Sequence, residues 1–119
     1  MGVDERRRRL PREVAGWHGR FEFEGQPAHS SKECRIIDIS LIGVGLELFG
    51  TLPDELMGRE LSVVVETPAG ASISLRLNGV IRNIGPGPSG GTRVGVEFTG
   101  LSETERSIVD VMSHMQIVW

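Results

Sequence analysis

Glu33-Cys34-Arg35-Ile36-Ile37-Asp38-Ile39-Ser40-Leu41-Ile42-Gly43-Val44-Gly45-Leu46-Glu47-Leu48 is the stretch from which the fold can be read. Glu33 to Ile39 reads as a strand. Val44 to Leu48 reads as another, with Val44, Leu46 and Leu48 on one face by the two-residue period of extended chain. Between them Ser40-Leu41-Ile42-Gly43 is a tight connection. Asp and Ser favour such corners by bonding nearby backbone groups, and Gly43 is expected to supply a positive φ.

The same signals recur on both sides. Val14 to Phe23 places Phe21 and Phe23 on one face, and Gly25-Gln26-Pro27 ends the run. Thr51 to Gly58 is a loop or a single helical turn, with Pro53 suited to a first helical position. Leu61 to Glu66 is a fourth strand and Pro68-Ala69-Gly70 a turn. Ala71 to Ile84 is a long fifth strand with Ile73, Leu75 and Leu77 on one face, and the alternation slips after Gly79, which marks a bulge there. Gly85 to Gly91 cannot pack as an element and is expected to be an exposed loop. Arg93 to Phe98 is the sixth strand, with Val94, Val96 and Phe98 inward. Ser102 and Glu105 have capping-box spacing, and Ile108, Met112 and Met115 recur at helical spacing. Residues 103–115 therefore read as a helix covering the barrel or an open end of it. The expectation is one all-β domain, a barrel or sandwich, with no internal repeat.

Bulk properties narrow the function. The chain has 119 residues, enough to bury a core without metals or disulfides. Cys34 is the single cysteine, so no intrachain disulfide can form, as suits a reducing compartment. Arg6 to Arg9 precede any hydrophobic run, and no stretch approaches the roughly 20 apolar residues that span a bilayer. A soluble, cytoplasmic protein with no membrane insertion is expected. The net charge of −3 argues against general nucleic-acid binding, so no DNA or RNA partner is expected. Yet six of the 13 basic residues lie in the first 20 positions. A flexible basic arm, residues 1–12, thus precedes an acidic body, residues 13–119, and this asymmetry suggests a local anion site.

Two motifs could carry chemistry. Arg6-Arg7-Arg8-Arg9-Leu10-Pro11-Arg12 can be a solvated charge run, a nucleic-acid arm, or a phosphate and guanine grip. Guanidinium forks match phosphate oxygens and the O6 and N7 acceptors of guanine, and they stack on base planes. Asp38-Ile39-Ser40-Leu41-Ile42-Gly43 can be an ordinary corner or a guanine site. In the second case Asp38 accepts from guanine N1–H and N2–H₂, Ser40 bonds an amine or phosphate oxygen, and Gly43 lets a flat ligand approach the backbone.

Taken together, the pair resembles the PilZ domain family, whose signatures are Arg-x-x-x-Arg and Asp/Asn-x-Ser-x-x-Gly. Arg8 and Arg12 are the only pair in the basic segment with the first offset, and Asp38, Ser40 and Gly43 match the second. The resemblance extends over nearly the whole chain: six strands, a Gly-Pro loop, Arg93-Val94-Gly95-Val96-Glu97-Phe98 as closing strand, and a terminal helix. It implies a six-stranded antiparallel β-barrel with a C-terminal α-helix that binds cyclic di-GMP. By that resemblance Arg8 and Arg12 grip phosphate and the guanine O6/N7 edge, while Asp38, Ser40 and Gly43 hold a guanine. An arginine just before the first signature accompanies a stacked ligand dimer in the family, which would be Arg7 here.

Nothing in the sequence suggests an enzyme. His18, His29 and His114 lack metal-ligand spacing with Cys34, and Ser40 lacks a nucleophile-elbow context. No cofactor beyond the dinucleotide ligand is expected. Cys34 alternates with Ile36 and reads as a small core residue. Trp17 and Trp119 can pack on the barrel or mark a partner surface. A bare domain of this kind signals through an unidentified downstream protein, as monomer or homodimer, with the ligand drawing residues 5–12 onto the barrel. The alternatives are a protein-interaction module with little ligand binding and a small nucleic-acid binder.

Overall fold

A computed structural model describes residues 17–25, 31–66 and 74–115. The strands are β1 (His18–Phe23), β2 (Lys32–Ile39), β3 (Gly43–Leu48), β4 (Glu60–Glu66), β5 (Ser74–Pro86) and β6 (Thr92–Phe98), followed by the helix α1 (Glu103–Met115). They form a closed barrel in the order β1-β2-β3-β6-β5-β4, every pair antiparallel. Closure leaves no strand edge to template aggregation. The expected six-stranded antiparallel barrel with a C-terminal helix is the fold observed. The run expected from Val14 is a strand from His18, residues 14–16 and 71–73 lying outside the described residues.

Alternation explains the interior. Phe21, Cys34, Ile36, Ile39, Val44, Leu46, Leu48, Leu61, Val63, Val65, Leu77, Ile81, Val94 and Val96 all point inward and are buried. Phe23 and Phe98 pack on this core from partly buried positions, and Phe21 and Phe23 meet edge to face at 5.5 Å. Trp17 is buried in the core, and Cys34 is the small core residue its spacing suggested. Burial pushes the Cys34 thiol up to about 12, against a weaker downward pull from the Arg20 charge.

α1 starts with the capping box: Glu105 N–H donates to Ser102 Oγ at 3.1 Å, and Ser102 N–H donates to Glu105 Oε1 at 2.9 Å. Its buried face is Val109 and Met112, with Ile108 half-buried beside them. The sequence reading found Ile108 and Met112 but missed Val109, which is the more deeply buried neighbour of Ile108. The segment from Thr51 to Gly58 is a loop, pinned by the buried Leu56 and by Gly58 N–H donating to the Ile81 carbonyl at 2.9 Å.

Two sequence expectations need correction. The bulge in β5 is not at Gly79, which pairs regularly with Leu61 and Phe98. A Cβ on Gly79 would stand 2.5 Å from Val96 Cγ1 and 2.6 Å from the Glu97 carbonyl oxygen, so glycine there permits close approach of β6. The extra residue is Arg82, between the Ile81–Val96 and Asn83–Gly95 pairs. The Gly-Pro segment is also more structured than expected. Gly85 and Pro86 belong to β5, and the remaining loop folds over Glu47. Ser89 and Gly91 N–H both donate to Glu47 Oε2 at 2.8 Å, which makes Glu47 the one fully buried charged side chain among the described residues.

Candidate ligand-binding face

The outer wall of β2, β3, β6 and β5 is where the corner motif lies. β2 carries its own bulge: Ile36 pairs with Leu46, Ile37 is extra, and Asp38 pairs with Gly45. Uninterrupted pairing would have set Asp38 opposite Val44 and turned it into the core. The bulge turns it outward instead. The result is a row across four strands, Asp38, Gly45, Gly95 and Asn83, each paired with the next. The two central glycines carry no side chains, which leaves room for those of Asp38 and Asn83 to lean over them.

Asp38 leans over Gly45. Gly45 N–H donates to its Oδ1 at 3.1 Å, and a Cβ on Gly45 would meet that oxygen at 2.6 Å. Arg93 Nη2 approaches the other oxygen, Oδ2, at 3.3 Å. Both side chains are about half exposed, so this pair is screened and weakly stabilising, and its carboxylate can accept further donors. Next to it Arg82 Nε donates to Glu97 Oε1 at 2.9 Å.

Ser40 organises the corner. Its Oγ accepts from the N–H of Ile42 at 3.2 Å and of Gly43 at 3.4 Å, and its own N–H donates to the Gly43 carbonyl at 2.9 Å. The Ile42 carbonyl accepts from Phe98 N–H at 2.9 Å, tying the corner to β6. The expected positive φ at Gly43 is not found: the described glycines with positive φ are Gly25, Gly50, Gly58, Gly90 and Gly100. Gly43 is required for another reason, because a Cβ there would collide with the Val96 carbonyl oxygen.

These residues border a groove of about 460 Å³ that includes Asp38, Ser40 and Gly43 together with Arg82, Asn83, Arg93 and Glu97. The structure thus brings the three corner residues together. Arg7, Arg8 and Arg12 lie outside the described residues. Sequence reasoning missed Arg82, Asn83 and Arg93. The slip of alternation along β5 was the available signal, but it was assigned to the wrong residue. Among the described residues no cluster of His, Cys, Asp or Glu could hold a metal ion, and no helix is long and apolar enough to cross a membrane.

The fold is thus a small closed barrel with a polar groove on one outer wall. Its lineage is explicit. The model of the PilZ domain family matches residues 6–112, and the chain belongs to that family. In structure it is similar to the Bacillus subtilis Inhibitor of motility (MotI/DgrA), with a TM-score of 0.66 at 14% identity. The match covers 84% of this chain and 46% of that one, so this chain spans about half the length of that protein, and the likeness is one of fold. No curated protein matches the sequence.

Proposed function

We propose that this PilZ domain is a receptor for cyclic di-GMP that catalyses nothing and passes its signal to a protein partner in the cytoplasm. The observation that supports this reading is the groove bordered by Asp38, Ser40 and Gly43, close to Trp17 just before β1. Ile36 N–H donates to the Trp17 carbonyl at 3.3 Å, which sets Trp17 beside β2 only two residues along that strand from Asp38. Arg12 lies five residues upstream of Trp17. At roughly 3.3–3.6 Å per residue the tether can span up to about 17 Å, enough to reach over the groove.

In this reading Arg8 and Arg12 supply charge-assisted, forked bonds to phosphate and to guanine O6/N7. Asp38 accepts from guanine N1–H and N2–H₂ through lone pairs its bonds to Gly45 and Arg93 leave open. Ser40 holds the corner rigid, Gly43 lets β3 lie close against β6, and Gly45 leaves room for the Asp38 carboxylate over the groove floor. Arg7 would contact a second, stacked dinucleotide. Calorimetric titration of the purified chain with cyclic di-GMP, beside GTP and cyclic di-AMP, tests the reading. Selective binding of cyclic di-GMP is expected. A folded sample that ignores it at high micromolar concentration overturns the proposal.

A further inference from the structure

The role of Asp38 leaves the other end of the glycine row unexplained. β5 alternates regularly through Gly79 and Ile81, then inserts Arg82. Without that insertion Arg82 would oppose Gly95, and Asn83 would oppose Val94 with its side chain turned toward the core. The bulge turns Asn83 out, and its carboxamide lies over Gly95. A Cβ on Gly95 would collide with Asn83 Oδ1 and stand 2.7 Å from its Nδ2. β2 treats Asp38 in the same way over Gly45. Bulges re-aim side chains near functional sites, and here two of them flank one glycine pair.

Gly45 and Gly95 are direct cross-strand partners. The carboxylate and the carboxamide therefore stand side by side on the groove floor, about one strand spacing or ~5 Å apart. Among the described residues no group bonds the Asn83 carboxamide, whereas Arg82 is engaged by Glu97 and Arg93 by Asp38. The edge of guanine that Asp38 would bind continues past N1–H to the acceptor O6. A carboxylate cannot serve O6, but the neighbouring amide N–H₂ can.

We infer that Asn83 is a specificity-determining residue of this site, donating from Nδ2 to guanine O6 while Asp38 accepts from N1–H and N2–H₂. This inference rests on the cyclic di-GMP reading above. Together the two side chains complement guanine and reject adenine, whose N1 acceptor would face the Asp38 carboxylate.

The test is calorimetry on the full chain with cyclic di-GMP and with cyclic di-IMP, whose base keeps O6 and N1–H but lacks the N2 amine. Asn83→Ala should weaken both dinucleotides about tenfold, the loss of one net hydrogen bond. Asn83→Asp, which keeps the shape but sets an acceptor against O6, should weaken both further. Asp38→Ala should cost less affinity for cyclic di-IMP than for cyclic di-GMP. Gly95→Ala, which evicts the carboxamide without removing it, should mimic Asn83→Ala. A wild-type chain that binds cyclic di-GMP, with an Asn83→Asp variant that binds it equally well, overturns this inference and leaves the receptor reading intact. A wild-type chain that does not bind overturns both.

Discussion

Replacing Glu47 with alanine should destabilise the barrel by about 2–3 kcal/mol and release the loop that covers it. Glu47 points from the outer wall of β3, yet it is fully buried because residues 87–91 close over it. Hydrogen bonds to a charged acceptor contribute about 1.5–3 kcal/mol each, so the bonds from Ser89 and Gly91 amount to roughly 3–6 kcal/mol before corrections. Two effects reduce that figure. The freed loop amides can bond water. Removing the carboxylate also relieves an incompletely compensated charge, since Oε1 has no hydrogen-bond partner and Arg35 Nη1 stands 3.8 Å away. The net of about 2–3 kcal/mol corresponds to a drop of about 8–12 °C in Tm for a domain of this size. Circular dichroism melting at neutral pH measures it, and amide exchange at Ser89 and Gly91 should accelerate in parallel. A Tm within about 2 °C of wild type, with unchanged exchange at both amides, would refute the reasoning.

Other outcomes follow from the same geometry. Arg8→Ala and Arg12→Ala should each weaken cyclic di-GMP binding by about 10- to 150-fold, the equivalent of one charge-assisted bond, as read by calorimetry. Asp38→Ala should weaken the preference for guanine over adenine dinucleotides, with the Asn83 contribution remaining; unchanged affinity and selectivity would remove Asp38 from the base edge. Gly43→Ala drives a Cβ into the Val96 carbonyl, so β3 and β6 must separate, and denaturant unfolding should show a loss of about 2–4 kcal/mol. The Cys34 thiol, held near 12 by burial while an exposed thiol titrates near 9.0, stays protonated in the fold as the unfolded chain ionises. The unfolded state then binds fewer protons, so this group's contribution to stability is intact below about 9 and is lost as pH rises toward 12. Thiol labelling should accordingly be slow in the native protein and fast in urea.

The elements of this fold were legible because each strand is amphipathic over a single face. Val44, Leu46 and Leu48, or Val94 and Val96, carry the two-residue period in the sequence itself. The capping box at Ser102 and Glu105 marked the helix start through purely local bonds. The corner at Asp38, Ser40 and Gly43 was equally legible, because its residues are adjacent in the chain. The positive φ expected of Gly43 was wrong: the constraint on its Cβ comes from β6, more than fifty residues away. The bulge in β5 was sensed as a slip in pattern but misplaced, since a glycine facing a close neighbour and a bulge look alike in one dimension.

Sequence alone thus determined strand count, the inward faces, the helix cap and the two signatures, all of them consequences of local periodicity or of neighbouring residues. Only the closed barrel decided that Gly45 faces Gly95, that paired bulges aim Asp38 and Asn83 at one floor, and that a Gly-Pro loop buries Glu47. Those facts depend on register between strands far apart in the chain. Register is fixed by the collective packing of the core and leaves no mark on any single segment.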